Sequence, residues 1–357
     1  MDSPPPNDRP LRQVACRGRH VVVDIHAHLG VRAAAAAVGP ANAAPPEILR
    51  FSCPATDTVN RTMFEQIGDT LNGVDQRLRD MDRLGVDVQA LSPSPGQYFY
   101  HVDEELGAAA ATLVNDGIAA AVAAHPERFV GMGTLPMQNV ELALRELRRC
   151  VSDLDLRGIE IGTNVAGRDL GDDAFTPIWS EAERLGLLVF LHPLGFTSAD
   201  RMRDHYLNNL IGNPLESSLA ISHLIFGGVL DRHPGLKICV AHGGGFLPSY
   251  WGRLDHGWRA RDDCRAGCRH APSTYIRRLF LDTLVFDRDQ LDALVRNHGA
   301  EHLCLGSDYP FDMSEPDPVG FHDHLPEPAR AAIIGSNAAR LLGLVPVSRV
   351  SEKHKPD

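Results

Sequence analysis

The chain has 357 residues, 43% of them hydrophobic and 23% charged, with a formal net charge of -11. That length and balance suit one large folded domain and argue against a disordered chain, while the negative charge and lack of a Lys/Arg-rich block argue against nucleic-acid binding. No run approaches ~20 apolar residues and the N-terminus lacks a basic start with an apolar core, so the expectation is a cytoplasmic protein with no membrane segment and a small-molecule partner.

Taken in chain order, residues 1–18 read as a polar, proline-bearing flexible tail, 19–344 as one domain and 345–357 as a charged C-terminal tail. The first strand-like run, around 21–26, leads into Asp24-Ile25-His26-Ala27-His28. In extended backbone, residues i and i+2 face one side, so His26 and His28 present two imidazoles to one point. The connection over 29–73 holds Ala33 to Ala37, Pro45-Pro46, Pro54 and Arg61, and is expected to be largely irregular, forming a lid or substrate wall.

A helix over Val74 to Leu84 follows from apolar residues at 74, 78, 81 and 84, and the next strand is expected at 86–91. Helices over Asp103 to Ala124 and Val140 to Cys150 alternate with strands at 129–133 and 158–161. Asp173 is placed as a helix start and Gly186 as a stop before the strand at 187–191, which ends on His192-Pro193. After a second long loop, 194–213, come a strand at 236–241, then His242-Gly243-Gly244-Gly245 and Trp251-Gly252-Arg253. Strands at 279–282 and 302–305 complete the set, separated by a helix from Asp287 to a stop at Gly299, and the last leads into Gly306-Ser307-Asp308-Tyr309-Pro310.

Eight apolar runs alternating with helices imply an α/β protein, a (β/α)8 TIM barrel with insertions at its catalytic face. His26, His28, His192, His242 and Asp308 all lie at strand C-terminal ends, where such a barrel carries its chemistry. Each has a plain alternative. A His-x-His pair also ends strands through hydrogen bonds, His192-Pro193 can form a turn, and Asp308 can cap a turn or helix.

Neutral imidazoles with one carboxylate suit a divalent ion, zinc first, with manganese, cobalt or iron as alternatives. His26, His28, His192 and Asp308 are the candidate ligands and His242 the candidate general acid or base. Arg61 and Arg253 are candidates for holding carboxylates, against the plainer reading of surface salt bridges. Trp251 and Trp258 beside Arg253 point to a pocket or interface. Cys264 and Cys268 with His270 lack the second cysteine pair of a zinc knuckle, and seven scattered cysteines, an odd number, do not suggest a disulfide framework. The remaining histidines read as solvated or capping residues. No Gly-x-Ser-x-Gly nucleophile elbow accompanies the triple glycine, which argues against an esterase.

With Met81-Asp82-Arg83-Leu84-Gly85-Val86-Asp87, Gly158-Ile159-Glu160-Ile161-Gly162 and Leu305-Gly306-Ser307-Asp308-Tyr309-Pro310-Phe311 added, the chain resembles the amidohydrolase superfamily from about 20 to 344. Within it, the chain is similar to the 2-amino-3-carboxymuconate-6-semialdehyde decarboxylase-like family. The resemblance implies a non-oxidative decarboxylase of an unsaturated or aromatic carboxylic acid, using one divalent metal ion and no organic cofactor. It further implies a homodimer in which Arg253 crosses to the neighbouring site and Arg61 serves its own. Pro193-Leu194-Gly195-Phe196 departs from the family's Pro-Trp, leaving the substrate open, and His26 at the head of the motif favours zinc. A metal-dependent hydrolase or hydratase would use the same ligands, and a binding protein on a barrel fold is the third reading.

Overall fold

The computed structural model describes residues 9–42 and 51–348. In chain order its strands are β1 (Arg12–Cys16), β2 (Val23–Leu29), β3 (Val88–Pro93), β4 (Phe129–Gly133), β5 (Gly158–Ile161), β6 (Asn164–Val165), β7 (Arg168–Asp169), β8 (Leu188–Leu191), β9 (Lys237–Val240), β10 (Phe280–Asp282), β11 (Leu303–Cys304) and β12 (Leu344–Ser348). Eight of them form one parallel sheet in the order β11-β10-β9-β8-β5-β4-β3-β2, while β6 and β7 make a small hairpin.

The sheet closes through the segment after β11. The Ile25 amide donates to Leu305 O at 2.9 Å, the Asp308 amide to His26 O at 2.8 Å, and the His28 amide to Tyr309 O at 2.8 Å. The (β/α)8 barrel expected from the apolar runs is therefore present, and its closing bonds run through three of the candidate ligands.

Side chains alternate across the wall. Val23, Val88, Ala90, Val130, Met132, Leu188, Phe190 and Cys239 fall in one buried cluster, whereas Leu91, Ile118, Phe129 and Leu156 pack in another between strands and helices. Fully burying a side chain of this size contributes about 1.5–3 kcal/mol, which makes the period-2 pattern decisive for register.

The helices that bear on the argument are α1 (Arg32–Val38), α2 (Pro54–Leu71), α3 (Asp75–Leu84), α4 (Glu104–Ala124), α5 (Val140–Ser152), α6 (Thr176–Arg184), α7 (Asn213–Phe226) and α8 (Leu247–Ala260). Asp103 caps α4 by accepting from the Leu106 amide, and Asp287 accepts from the Gln290 amide as expected. In the 3-10 turn Asp173–Phe175 that leads into α6 the capping carboxylate is Asp172, which accepts from the Ala174 amide, and not Asp173. α4 is long and apolar enough to cross a membrane by length and composition, but it buries Ala110, Val114, Ile118 and Val122 against the barrel.

Four expectations are corrected. The connection over 29–73 carries α1 and the 18-residue α2. Alanine has the highest helix propensity, and Pro54 occupies the first helical position, where its missing N–H is no loss. Pro45 and Pro46 lie outside the described residues.

The supposed N-terminal tail holds β1, which pairs in parallel with β12 from Arg12↔Leu344 to Cys16↔Ser348. The expected C-terminal tail therefore begins as a strand. Three histidines read as solvated are buried: His233, His298 and His322.

Candidate metal centre

Asp24 sets the local geometry of β2. It is fully buried and accepts from Ser307 Oγ at 2.5 Å, the Ser307 amide at 3.0 Å, Gln89 Nε2 at 3.0 Å and the His26 amide at 3.2 Å. One carboxylate thus ties the first strand to the turn that carries Asp308. The β2–β3 register shifts between Asp24 and Ala27, an irregularity of the kind that re-aims side chains beside active sites.

The two histidines of β2 each spend one ring nitrogen on the protein. His26 Nδ1 meets Asp282 Oδ2 at 2.7 Å, and His28 Nδ1 meets Pro93 O at 2.8 Å. With Nδ1 as the donor, Nε2 of each ring is left with its lone pair. These two Nε2 atoms stand 3.1 Å apart, and Asp308 Oδ1 lies 3.0 Å from that of His28 and 3.4 Å from that of His26.

His192 follows β8 and completes a set of four buried residues whose donor atoms all lie within 4.8 Å of one another. Among the described residues no other such cluster occurs, and Cys264, Cys268 and His270 form none. Both ring nitrogens of His192 are buried without a hydrogen-bond partner. Such atoms are costly unless something binds them. Ligands each about 2.1 Å from one ion stand roughly 3.0–3.4 Å apart, which is the spacing seen among His26, His28 and Asp308. The four residues fit a divalent cation.

The electrostatics agree for Asp308 and His192; against the effect of burial, Asp308 and Asp282 hold His26 well above the ordinary imidazole value, so a cation binding there displaces a proton from it. Burial alone would raise the Asp308 pKa, but the charge of His26 and contacts from His242, His26 and His28 hold it well below the ordinary carboxylate range. Burial, reinforced by His28, His26 and His242, pushes His192 well below the ordinary imidazole value and keeps it neutral. A carboxylate and a neutral imidazole are the protonation states that metal ligation needs.

Two site residues adopt left-handed backbone, His242 at φ 57° and Asp308 at φ 61°. Conformations of that kind cost about 1–3 kcal/mol and persist where surrounding structure imposes them. His242 opens a turn through Gly243, Gly244 and Gly245, all at positive φ, and a Cβ on Gly245 would lie 2.3 Å from Pro214 O. The turn sets His242 Nε2 3.6 Å from Asp308 Oδ2, with its ring 5.0 Å from that of His192. It stands beside the four ligands without joining them.

The amidohydrolase family pattern matches residues 23–344. A 2-amino-3-carboxymuconate-6-semialdehyde decarboxylase from Dictyostelium discoideum is 40% identical over 83% of this chain and 83% of its own. The chain belongs to the amidohydrolase family. A second relative of the same name, from Caenorhabditis elegans, is 31% identical over 71% of this chain and 76% of its own. The crystal structure of 5-carboxyvanillate decarboxylase from Sphingomonas paucimobilis superposes with a TM-score of 0.81 at 26% identity, over 91% of this chain and 99% of that one.

In this amidohydrolase two spaces adjoin the centre, sharing Asn209, Asn213, Asp308 and Met313 in their linings. One, of about 770 Å³, runs from His192 and Asp308 toward α2, and the other, of about 630 Å³, is lined by His242, Phe246 and Tyr250. Arg61 is exposed on α2 and outside the cleft, whereas Asn60, Met63 and Phe64 of the same helix line it. Arg253 is exposed on α8 and does not reach the cleft of its own chain. The tryptophans that flagged it pack within the chain, Trp251 beneath the Arg277 guanidinium at 4.3 Å and Trp258 donating to Cys268 O at 3.2 Å.

Sequence reasoning passed over several members of the site. Arg203, in the loop after His192, is exposed at the cleft and has no acidic partner among the described residues. Asp282 orients His26 and also accepts from the Gly243 amide at 2.8 Å. Glu160, on β5, accepts from Tyr98 OH at 2.8 Å and lies 3.8 Å from His28 Nδ1. Arg77, fully buried, donates to His28 O at 2.5 Å and lies 4.8 Å from the Tyr309 ring centroid. A signal for Arg77 existed: it shares a helix face with Val74, Leu78 and Met81, where a charged residue needs a buried partner.

Proposed function

We propose that this amidohydrolase is a metal-dependent, non-oxidative decarboxylase of an unsaturated or aromatic carboxylic acid. The reading rests on one observation: four convergent ligand atoms with His242 beside them, in a chain 40% identical to a decarboxylase. The ligand set His26, His28, His192 and Asp308 is proposed to hold zinc, with manganese as the principal competitor. A divalent ion here supplies Lewis acidity toward an oxygen of the substrate.

The chain's own residues do the rest. The apolar walls of the cleft exclude water from the acid, and His242, partly open to the second space, carries a proton to the carbon that loses its carboxylate. The C–C bonding pair stays on that carbon and takes the proton, and the carboxylate leaves as CO2. His242 regains a proton from solvent.

Arg253 is proposed to reach the site of a second copy in a homodimer. Its exposure supports this, as do the apolar residues exposed around the 630 Å³ space, Phe246, Tyr250 and Phe286. Among the described residues, Arg203 is the cation this chain brings to its own cleft, and Arg61, outside it, is proposed only as an outer contact. All seven cysteines are free, which supports a reducing, cytoplasmic setting. The test is CO2 release from a panel of muconate semialdehyde and hydroxybenzoate acids by metal-loaded enzyme. Release from one acid class is expected, and hydrolysis of amides or lactones without any CO2 would overturn the reading.

A further inference from the structure

The cleft is larger than decarboxylation of a single ring requires. A one-ring acid displaces on the order of 200 Å³, about seven waters at 30 Å³ each. The space toward α2 measures about 770 Å³.

Its character is as telling as its size. Phe311 stands 5.4 Å from the His28 ring, and Phe64 meets Phe311 edge-on at 6.2 Å, so an aromatic track leads from the metal centre into this space. Phe64 is 49% exposed although it lines the cleft. Met63 and Met202, flexible thioethers that adapt to an apolar guest, complete the wall.

Three of the amides that line the space are engaged by the chain itself. Gln97 accepts from the Val31 amide and donates to Val31 O, Asn208 accepts from the Phe196 amide, and Asn213 accepts from the Gly195 amide. Their capacity to bind a polar guest is reduced, and most of the remaining surface is apolar, although Asp57, Asn60, Arg203 and Asp312 also line it.

We propose that the substrate is an aromatic acid bearing an extended apolar substituent, alkyl or aryl, which lies along Phe311 and Phe64 while the carboxylate is held at the metal centre. The inference rests on the decarboxylase reading and names its substrate class. A second copy of the chain is a weaker occupant, because the exposed apolar residues suited to one surround the other space.

The experiment is a series of hydroxybenzoates carrying methyl, propyl, pentyl or heptyl groups at each free ring position, with phenyl analogues. Turnover is measured by CO2 release, and binding of the corresponding carboxylate-free phenols by calorimetry. For at least one ring position, KM should fall about two- to fourfold per methylene with kcat nearly constant, and phenol affinity should rise in parallel. Phe64→Ser should shrink the ratio of kcat/KM between the longest and shortest acids by about tenfold or more. Turnover of the unsubstituted acid with a flat or falling series, and no gain in phenol binding at any position, would overturn the inference and leave the decarboxylase reading standing. Chain-length-dependent phenol binding with no CO2 from any acid would reject that reading and retain the apolar guest.

Discussion

The two unpaired nitrogens of His192 are the feature of this site hardest to explain by packing, because a buried imidazole with neither nitrogen bonded loses its hydration and receives nothing in return. Ligation resolves the deficit, so Asp308→Ala or His26→Ala should deplete bound metal in elemental analysis. Full occupancy in both variants would remove these residues from the ligand set. His242→Asn should behave differently, retaining much of the metal while kcat falls by about 10²–10⁴, the usual worth of a positioned acid or base. Near-normal turnover would show that the proton travels another way. The ligands were legible because each terminates an apolar run, a purely local pattern. Asp282 was not, since its value to the site is a bond to His26, 256 positions away, and nothing around it in the chain announces that.

Elements tell a similar story with different failures. Strands β4 and β5 fall where the apolar runs place them, since burial on both faces leaves a continuous hydrophobic signal. α2 was missed because a helix starting at Pro54 with a proline-rich approach looks like a loop when proline is read only as a breaker. Between β10 and the loops beyond it, His322 makes a connection open to measurement. Nδ1 lies 2.8 Å from Pro318 O and Nε2 2.9 Å from Thr283 Oγ1, and burial, with Arg330 and His324 adding to it, pushes the imidazole down to about 4. In the unfolded chain the group titrates near 6.5, so the unfolded state binds the extra proton first as pH falls. This contribution to stability is therefore complete above about pH 6.5, declines between there and about 4, and amounts to on the order of 3 kcal/mol. Chemical denaturation of the metal-free protein across that range should show the loss, and His322→Gln should flatten part of it. An unchanged profile in the variant would assign the acid sensitivity elsewhere.

At the scale of the whole molecule, the proposed dimer makes a prediction that no single chain can satisfy. Inactive Arg253→Ala subunits mixed with inactive His26→Ala subunits should regain activity, because one site of the heterodimer receives an intact metal centre from one chain and an intact arginine from the other. Differential tagging verifies exchange, and confirmed heterodimers without activity would confine Arg253 to its own chain. The eight barrel strands, their alternation with helices and the residues that end them were determined by the sequence alone, since burial periodicity and strand-end polarity are written in neighbouring residues. Tertiary structure decided what depends on distant partners. It decided that Asp24 binds a serine 283 positions away to close the barrel, that β1 and β12 pair from opposite ends of the chain, and that Arg203 lines the cleft while Arg61 stands outside it. Such juxtapositions arise from closing long loops around a common core, and their stabilisation is shared among contacts that no local stretch of sequence contains.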